Sequence, residues 1–272
     1  MILHDQIAKA YIEGSSLEQF REEWYFSNSD LSREYGKNVF TLPPDDRETR
    51  EKAGQVYASL RSVLQSFSAP DSSAMALYDG LFPHWREALE SVSVDLIAGL
   101  PHPHDAVVCS DPSGKLHILL DVVRWIYMLG YDLEGNARGI LTHELFHVLL
   151  RERWPEADQS SGYLPALDRI TFHEGFAHMV QLCAMRAVDW HSEKLTQVRA
   201  NSRAKLALAL AETDPEKRKT YLYEADRGGW YSKYAAMAGM LYLADQWEGG
   251  GLPALRAILE AGPAGFAHRC AI

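Results

Sequence analysis

The chain has 272 residues, of which 47% are hydrophobic and 24% are charged, and its formal net charge is −10. This composition is typical of a globular protein with a sizeable core. The acidic balance, without clustered Lys and Arg, argues against nucleic acid or an anionic membrane as the main partner. The chain shows no signal-peptide pattern, no apolar run long enough to span a membrane and no Cys-x-x-Cys pair, so we expect a soluble cytoplasmic protein.

The first 95 residues predict helices separated by polar breaks. Apolar residues recur at helical spacing in 17–26 and again in 48–67, after the turn signal TLPPDD. A third helix is expected over roughly 73–92, with Pro83 at a boundary. We therefore expect an N-terminal helical region over residues 1–95 and a second domain over residues 96–272, which can form one compact unit.

The second region begins with β-like runs. AVVCS and KLHILLDV flank the turn sequence Asp-Pro-Ser-Gly, which predicts a hairpin within 101–123. A helix is expected near 122–130, and Asn136 is the expected N-cap of the next one. Helices are then predicted over 137–154, 166–188, 201–213, 229–247 and 252–262. The fold class is α+β, predominantly helical, with a small sheet before the helix 137–154.

The helix predicted over 137–154 carries three ionisable residues among apolar ones: His143, Glu144 and His147. The two histidines are spaced i, i+4 and share one face, so both imidazoles can bind a single Zn²⁺. The Glu144 side chain leaves the helix about 100° around its axis from His143, so it cannot be a third ligand in the same geometry. It can instead act on a water molecule held by the metal. This is the H-E-x-x-H arrangement, with the glutamate as general base. The alternative is a pair of buried histidines in a polar network.

A catalytic zinc site needs a third protein ligand. The pattern H-E-x-x-H-x-x-G-x-x-H is absent, so a downstream carboxylate is the next option. Asp158, Asp168 and Glu174 are the candidates. Glu174 lies within the next predicted helix, and Gly175 beside it allows a close helix approach at about 1 kcal/mol in helix propensity.

The segments HELFH (143–147) and HEGFA (173–177) together resemble the gluzincin group of zinc metallopeptidases. The second resembles the N-E-G-F-A segment of zinc aminopeptidases, with His173 in place of Asn. The resemblance implies a zincin-like catalytic domain over 96–272, with His143, His147 and Glu174 as zinc ligands and Glu144 as general base. It does not extend to the aminopeptidase motif G-x-M-E-N, so no aminopeptidase specificity is expected.

The resemblance also implies an oxyanion-stabilising residue downstream. Tyr231 is the best match, Tyr234 competes with it, and both can instead simply pack in the core. His178, one turn after Glu174, supports the ligands, contacts the oxyanion or replaces Glu174 as the third ligand. Zinc peptidases of this type pair extended substrates with an edge strand, so KLHILLDV is either that strand or an ordinary core strand.

Cys109 invites one comparison with another zinc family. Peptide deformylases also combine H-E-x-x-H with an upstream cysteine, but Cys109 lacks the context E-G-C-L-S. It is better interpreted as a buried thiol.

The sequence therefore predicts a zinc-dependent metallopeptidase that hydrolyses a peptide or protein substrate through metal-activated water. Two alternatives remain: an inactive zinc-stabilised binding or regulatory protein of the same fold, and a zinc hydrolase of a non-peptide amide.

Overall fold

The computed structural model describes residues 1–67, 73–154, 162–185 and 188–272. Asp158 and the expected helix stop at Pro155 lie outside these residues. The chain divides into two compact units, residues 1–71 with 84–148 and residues 72–83 with 149–272. These units differ from the expected ranges 1–95 and 96–272. None of the described helices has the length and apolar character that a membrane crossing requires.

The first unit contains a four-stranded sheet in the order β1-β2-β4-β3. The strands are β1 (Ile2–His4), β2 (Ser93–Ile97), β3 (Ala106–Ser110) and β4 (Leu116–Asp121). The predicted hairpin is confirmed, because β3 and β4 are antiparallel and Asp111 accepts hydrogen bonds from the turn. The strands β1 and β2 were not predicted, and both run parallel to their neighbours. Since β4 lies between β2 and β3, KLHILLDV is an interior strand and not an edge strand.

Short helices and one long helix accompany this sheet in the first unit: α1 (Gln6–Ile12), α2 (Trp24–Ser27), α3 (Asp30–Tyr35), α4 (Arg47–Ser66) and α6 (Trp85–Ser91).

The buried carboxylate of Asp121 lies at the end of β4. It accepts backbone N–H groups of Gly99 and Leu100 at 2.8 and 2.7 Å, and of Val123 and Arg124 at 2.8 and 3.0 Å. Its four bonds fix the chain where it leaves the sheet toward the 3-10 turn Ile126–Gly130.

The helix that carries H-E-x-x-H is α7 (Leu133–Arg153). It begins earlier than expected, because Asp132 accepts the backbone N–H of Gly135 at 3.0 Å. Asn136 therefore lies inside the helix and is not its N-cap. Residues 133–148 belong to the first unit and the last turn belongs to the second.

The second unit is helical: α5 (Ser73–Leu81), α8 (Tyr163–Met185), α9 (Glu193–Ala211), α10 (Pro215–Ala225), α11 (Tyr234–Ala261) and α12 (Phe266–Ala271). The expected break at Pro83 is confirmed, since α5 ends before it. The break expected between the helices 229–247 and 252–262 is present as a kink within the single helix α11, where Gly251 has φ 58° and ψ −154°. The helices α10 and α12 were not predicted.

The helices α8 and α11 approach each other closely through two glycines. A Cβ added to Gly175 would lie 2.8 Å from the carbonyl carbon of Gly239. A Cβ added to Gly239 would lie 2.2 Å from the carbonyl oxygen of Thr171. Gly175 thus permits the close helix packing that its position beside Glu174 predicted, and the helix packed against it is α11.

Candidate functional site

The α7 part of the candidate site places two imidazoles side by side. The Nε2 atoms of His143 and His147 lie 3.0 Å apart, and the ring planes are inclined at 72°. Two zinc–nitrogen bonds of about 2.0–2.1 Å at a tetrahedral angle separate their nitrogens by roughly 3.4 Å. The two imidazoles are therefore close to the spacing that one ion requires, and the i, i+4 prediction for this face of the helix is confirmed.

Glu144 lies next to this pair in a largely apolar helix. Glu144 and His143 are each only 8% exposed. The neighbouring Leu145 and Phe146 are fully buried. A buried carboxylate is stable only when hydrogen-bond donors or positive charge compensate for the lost hydration. This setting suits a general base, since a carboxylate shielded from bulk water retains basicity for a reacting proton.

The α8 part of the candidate site pairs Glu174 with His178. The Nδ1 atom of His178 lies 2.9 Å from the backbone carbonyl oxygen of Glu174 and 3.4 Å from its Oε2. His178 is 1% exposed and Glu174 is half-buried. In the neutral imidazole, a bond from Nδ1–H to the carbonyl leaves the lone pair on Nε2, the usual ligand atom when a carbonyl orients the ring. Glu174 and His178 thus offer donors on the same side of α8.

His173 directly precedes Glu174 in α8. It is buried, and its ring meets the edge of Phe172 at 5.8 Å between centroids.

The segment before α11 contacts the α8 part of the site. The Trp230 ring lies 4.9 Å from that of His178, and Trp230 belongs to a 3-10 turn, Trp230–Ser232. Burial and the neighbouring charge of Glu174 raise the pKa of the Asp226 carboxyl to about 6, against the opposing charges of Arg227 and Lys233. Neither Trp230 nor Asp226 was singled out from the sequence, although Asp-Arg-Gly-Gly-Trp directly precedes the tyrosines that were.

The two candidate tyrosines lie in different surroundings. Tyr231 is half-buried in the 3-10 turn, with the Lys194 ammonium 3.9 Å from the centre of its ring. Tyr234 is buried at the start of α11 and donates its hydroxyl to the carbonyl of Tyr221 at 2.9 Å. Burial also raises the pKa of the Tyr234 hydroxyl. The hydroxyl of Tyr234 is thus engaged in a structural hydrogen bond.

Asp168 and Cys109, two other residues considered from the sequence, have structural roles. Asp168 accepts the backbone N–H groups of Gly265 and Ala267 at 2.8 and 2.9 Å, so its carboxylate holds the start of α12. Cys109 is fully buried in β3, as expected for an inert thiol.

Comparison of the chain with protein-family models, with curated proteins and with solved structures gives no match.

Proposed function

We propose that the chain is a zinc-dependent metallopeptidase of the gluzincin type with a zincin-like fold, soluble and cytoplasmic, that hydrolyses a peptide or protein substrate. The observation that carries the proposal is the pair of imidazole Nε2 atoms 3.0 Å apart on α7, with buried Glu144 directly after the first histidine. A purely structural metal site has no use for a carboxylate in that position.

The proposed ligands are His143, His147 and Glu174. Two imidazoles and one carboxylate are a donor set of catalytic zinc sites, which leaves one position for water. His178 is the alternative third ligand, because it lies one turn after Glu174 on α8 and contacts its carboxylate. In the proposal His178 either replaces Glu174 as the third ligand or orients Glu174 from within α8.

The roles of the remaining residues follow from their chemistry. Zinc, when bound, would polarise the scissile carbonyl and make water acidic enough to lose a proton near neutral pH. Glu144 accepts that proton from the attacking water and returns it to the leaving amine. Tyr231 donates its hydroxyl to the oxygen that becomes negative during the attack. Trp230 packs against His178 and limits the orientations that its ring can adopt.

The decisive experiment combines metal analysis with peptide hydrolysis in wild type and in Glu144→Gln. We expect about one zinc per chain in both proteins and a loss of roughly 10²- to 10⁴-fold in turnover for the variant, the usual contribution of a general base. Glu152→Gln is the matched control, because Glu152 is an exposed carboxylate on the same helix.

Four outcomes would contradict the proposal or redirect it. Absence of stoichiometric zinc excludes the metal site, and full activity of Glu144→Gln excludes the assigned base. Zinc that raises the unfolding temperature, without turnover of any peptide in a library, identifies the protein as an inactive zinc-stabilised binding protein. Turnover confined to non-peptide amides identifies the other alternative.

A further inference from the structure

Lys194 occupies a position that helix stability does not explain. It is the second residue of α9, after the N-cap Ser192 and Glu193, and its side chain is exposed. A positive charge at a helix N-terminus is unfavourable, because the helix dipole places partial positive charge there. Its ammonium group instead lies 3.9 Å from the centre of the Tyr231 ring, which is cation–π geometry.

The ammonium group of Lys194 is available for an anion. Several other lysines of the described residues are paired with carboxylates, such as Lys9 with Asp5 and Lys205 with Glu224 at 2.9 Å each. Within the described ranges, no carboxylate lies within ion-pair distance of Lys194. An ammonium group has three donors, and the face of an aromatic ring occupies one side of it. The remaining donors face away from the ring.

A short series of contacts joins Lys194 to the candidate ligands within the second unit. Lys194 rests on Tyr231, the neighbouring Trp230 packs on His178, and His178 contacts Glu174. The Lys194 ammonium therefore contacts the 3-10 turn Trp230–Ser232, and the same turn contacts His178 on α8.

We propose that Lys194, held on the Tyr231 ring, binds a carboxylate group of the substrate, so that the enzyme prefers peptides carrying a carboxylate at this position. The inference rests on the proposed function. The carboxylate belongs either to the C-terminus of the substrate or to an Asp or Glu side chain. Lys194 acts on substrate selection and takes no part in the proton transfers assigned to Glu144.

Peptide binding tests this assignment without depending on turnover. The protein is the full chain in the Glu144→Gln background, which prevents cleavage. Binding of a fluorescent alanine-based pentapeptide is followed by anisotropy in three forms: with a free C-terminal carboxylate, with a C-terminal amide, and with a C-terminal amide plus an internal Glu. We expect a carboxylate form to bind roughly tenfold tighter than the neutral amide, as for one charge-assisted hydrogen bond.

Variants at Lys194 separate recognition from folding. Lys194→Gln should abolish the preference for the carboxylate, and Lys194→Arg should retain it. Lys217→Gln is the control, since Lys217 is an exposed lysine on α10, and it should behave as wild type. The carboxylate form that shows the preference identifies its source.

Equal binding of all three peptides, no measurable binding of any of them, or a preference that survives in Lys194→Gln would overturn the inference. Zinc content and Glu144-dependent turnover are measured separately, so failure of the proposed function is distinguishable from failure of this assignment.

Discussion

The contact between Gly239 and α8 gives a sharp prediction about stability. A methyl group at residue 239 would lie 2.2 Å from the carbonyl oxygen of Thr171. A carbon atom in contact with a carbonyl oxygen lies about 3.3–3.6 Å from it, so Gly239→Ala forces α11 away from α8 by roughly 1 Å. The methyl group meets backbone on the other helix, and no flexible side chain can move aside to relieve the contact.

The magnitude follows from two opposing effects. Overpacking a buried contact costs about 1–3 kcal/mol, and here the movement also separates a large helix interface, which favours the upper end. Alanine gains about 1 kcal/mol over glycine in intrinsic helix propensity. We therefore expect Gly239→Ala to lower the free energy of unfolding by roughly 2 kcal/mol, and Gly249→Ala, with nothing within 4 Å of its added Cβ, to raise it by about 0.5–1 kcal/mol.

Urea unfolding followed by circular dichroism measures both variants, with the slope m checked for constancy. Because α8 carries Glu174, a zinc titration of the folded proteins provides a second reading, and Gly239→Ala should bind zinc more weakly than Gly249→Ala. The reasoning fails if Gly239→Ala is as stable as wild type. It also fails if the two variants shift the urea midpoint equally.

Two further predictions concern Tyr11 and Asp168. Burial raises the pKa of Tyr11 from 10.0 to about 12, so its contribution to stability is complete below pH 10 and is lost as the pH rises from about 10 toward 12. Urea titrations across that range should show a decline of at most about 3 kcal/mol that Tyr11→Phe removes, and a parallel decline in both proteins would contradict the assignment. Asp168→Ala should lower the free energy of unfolding by about 1–2 kcal/mol through loss of the two hydrogen bonds to α12, with zinc content unchanged. Loss of zinc from a folded Asp168→Ala protein would instead make Asp168 a ligand.

The sequence predicted those parts of the fold that local signals specify. The Asp-Pro-Ser-Gly turn marked the hairpin, and Pro83 marked a helix boundary, because each restricts or permits particular backbone angles. The strand β2 was not predicted, because five residues of parallel sheet show no alternation when both faces are buried. The helix α10 had a usable signal, since Asp214 caps it and Pro215 occupies its first turn.

In the candidate site, too, the sequence predicted local features and missed contacts between distant segments. The spacing of His143 and His147 predicted two imidazoles on one face of α7, and Gly175 predicted close packing beside Glu174. Local spacing gave no indication that Trp230 would contact His178, because that contact depends on how the segment before α11 folds back onto α8. Sequence periodicity describes one helix at a time, whereas the surroundings of a ligand depend on contacts between residues that are distant along the chain.

The buried thiols give each unit its own chemical reporter. Cys109 is buried in β3 of the first unit and Cys270 in α12 of the second, and burial raises the pKa of the Cys270 thiol. An alkylating reagent reacts with the exposed thiolate, so each of these residues is labelled only when its own unit opens. Mass spectrometry of the labelled peptides can therefore time the opening of the two units independently in a single sample of unmodified protein.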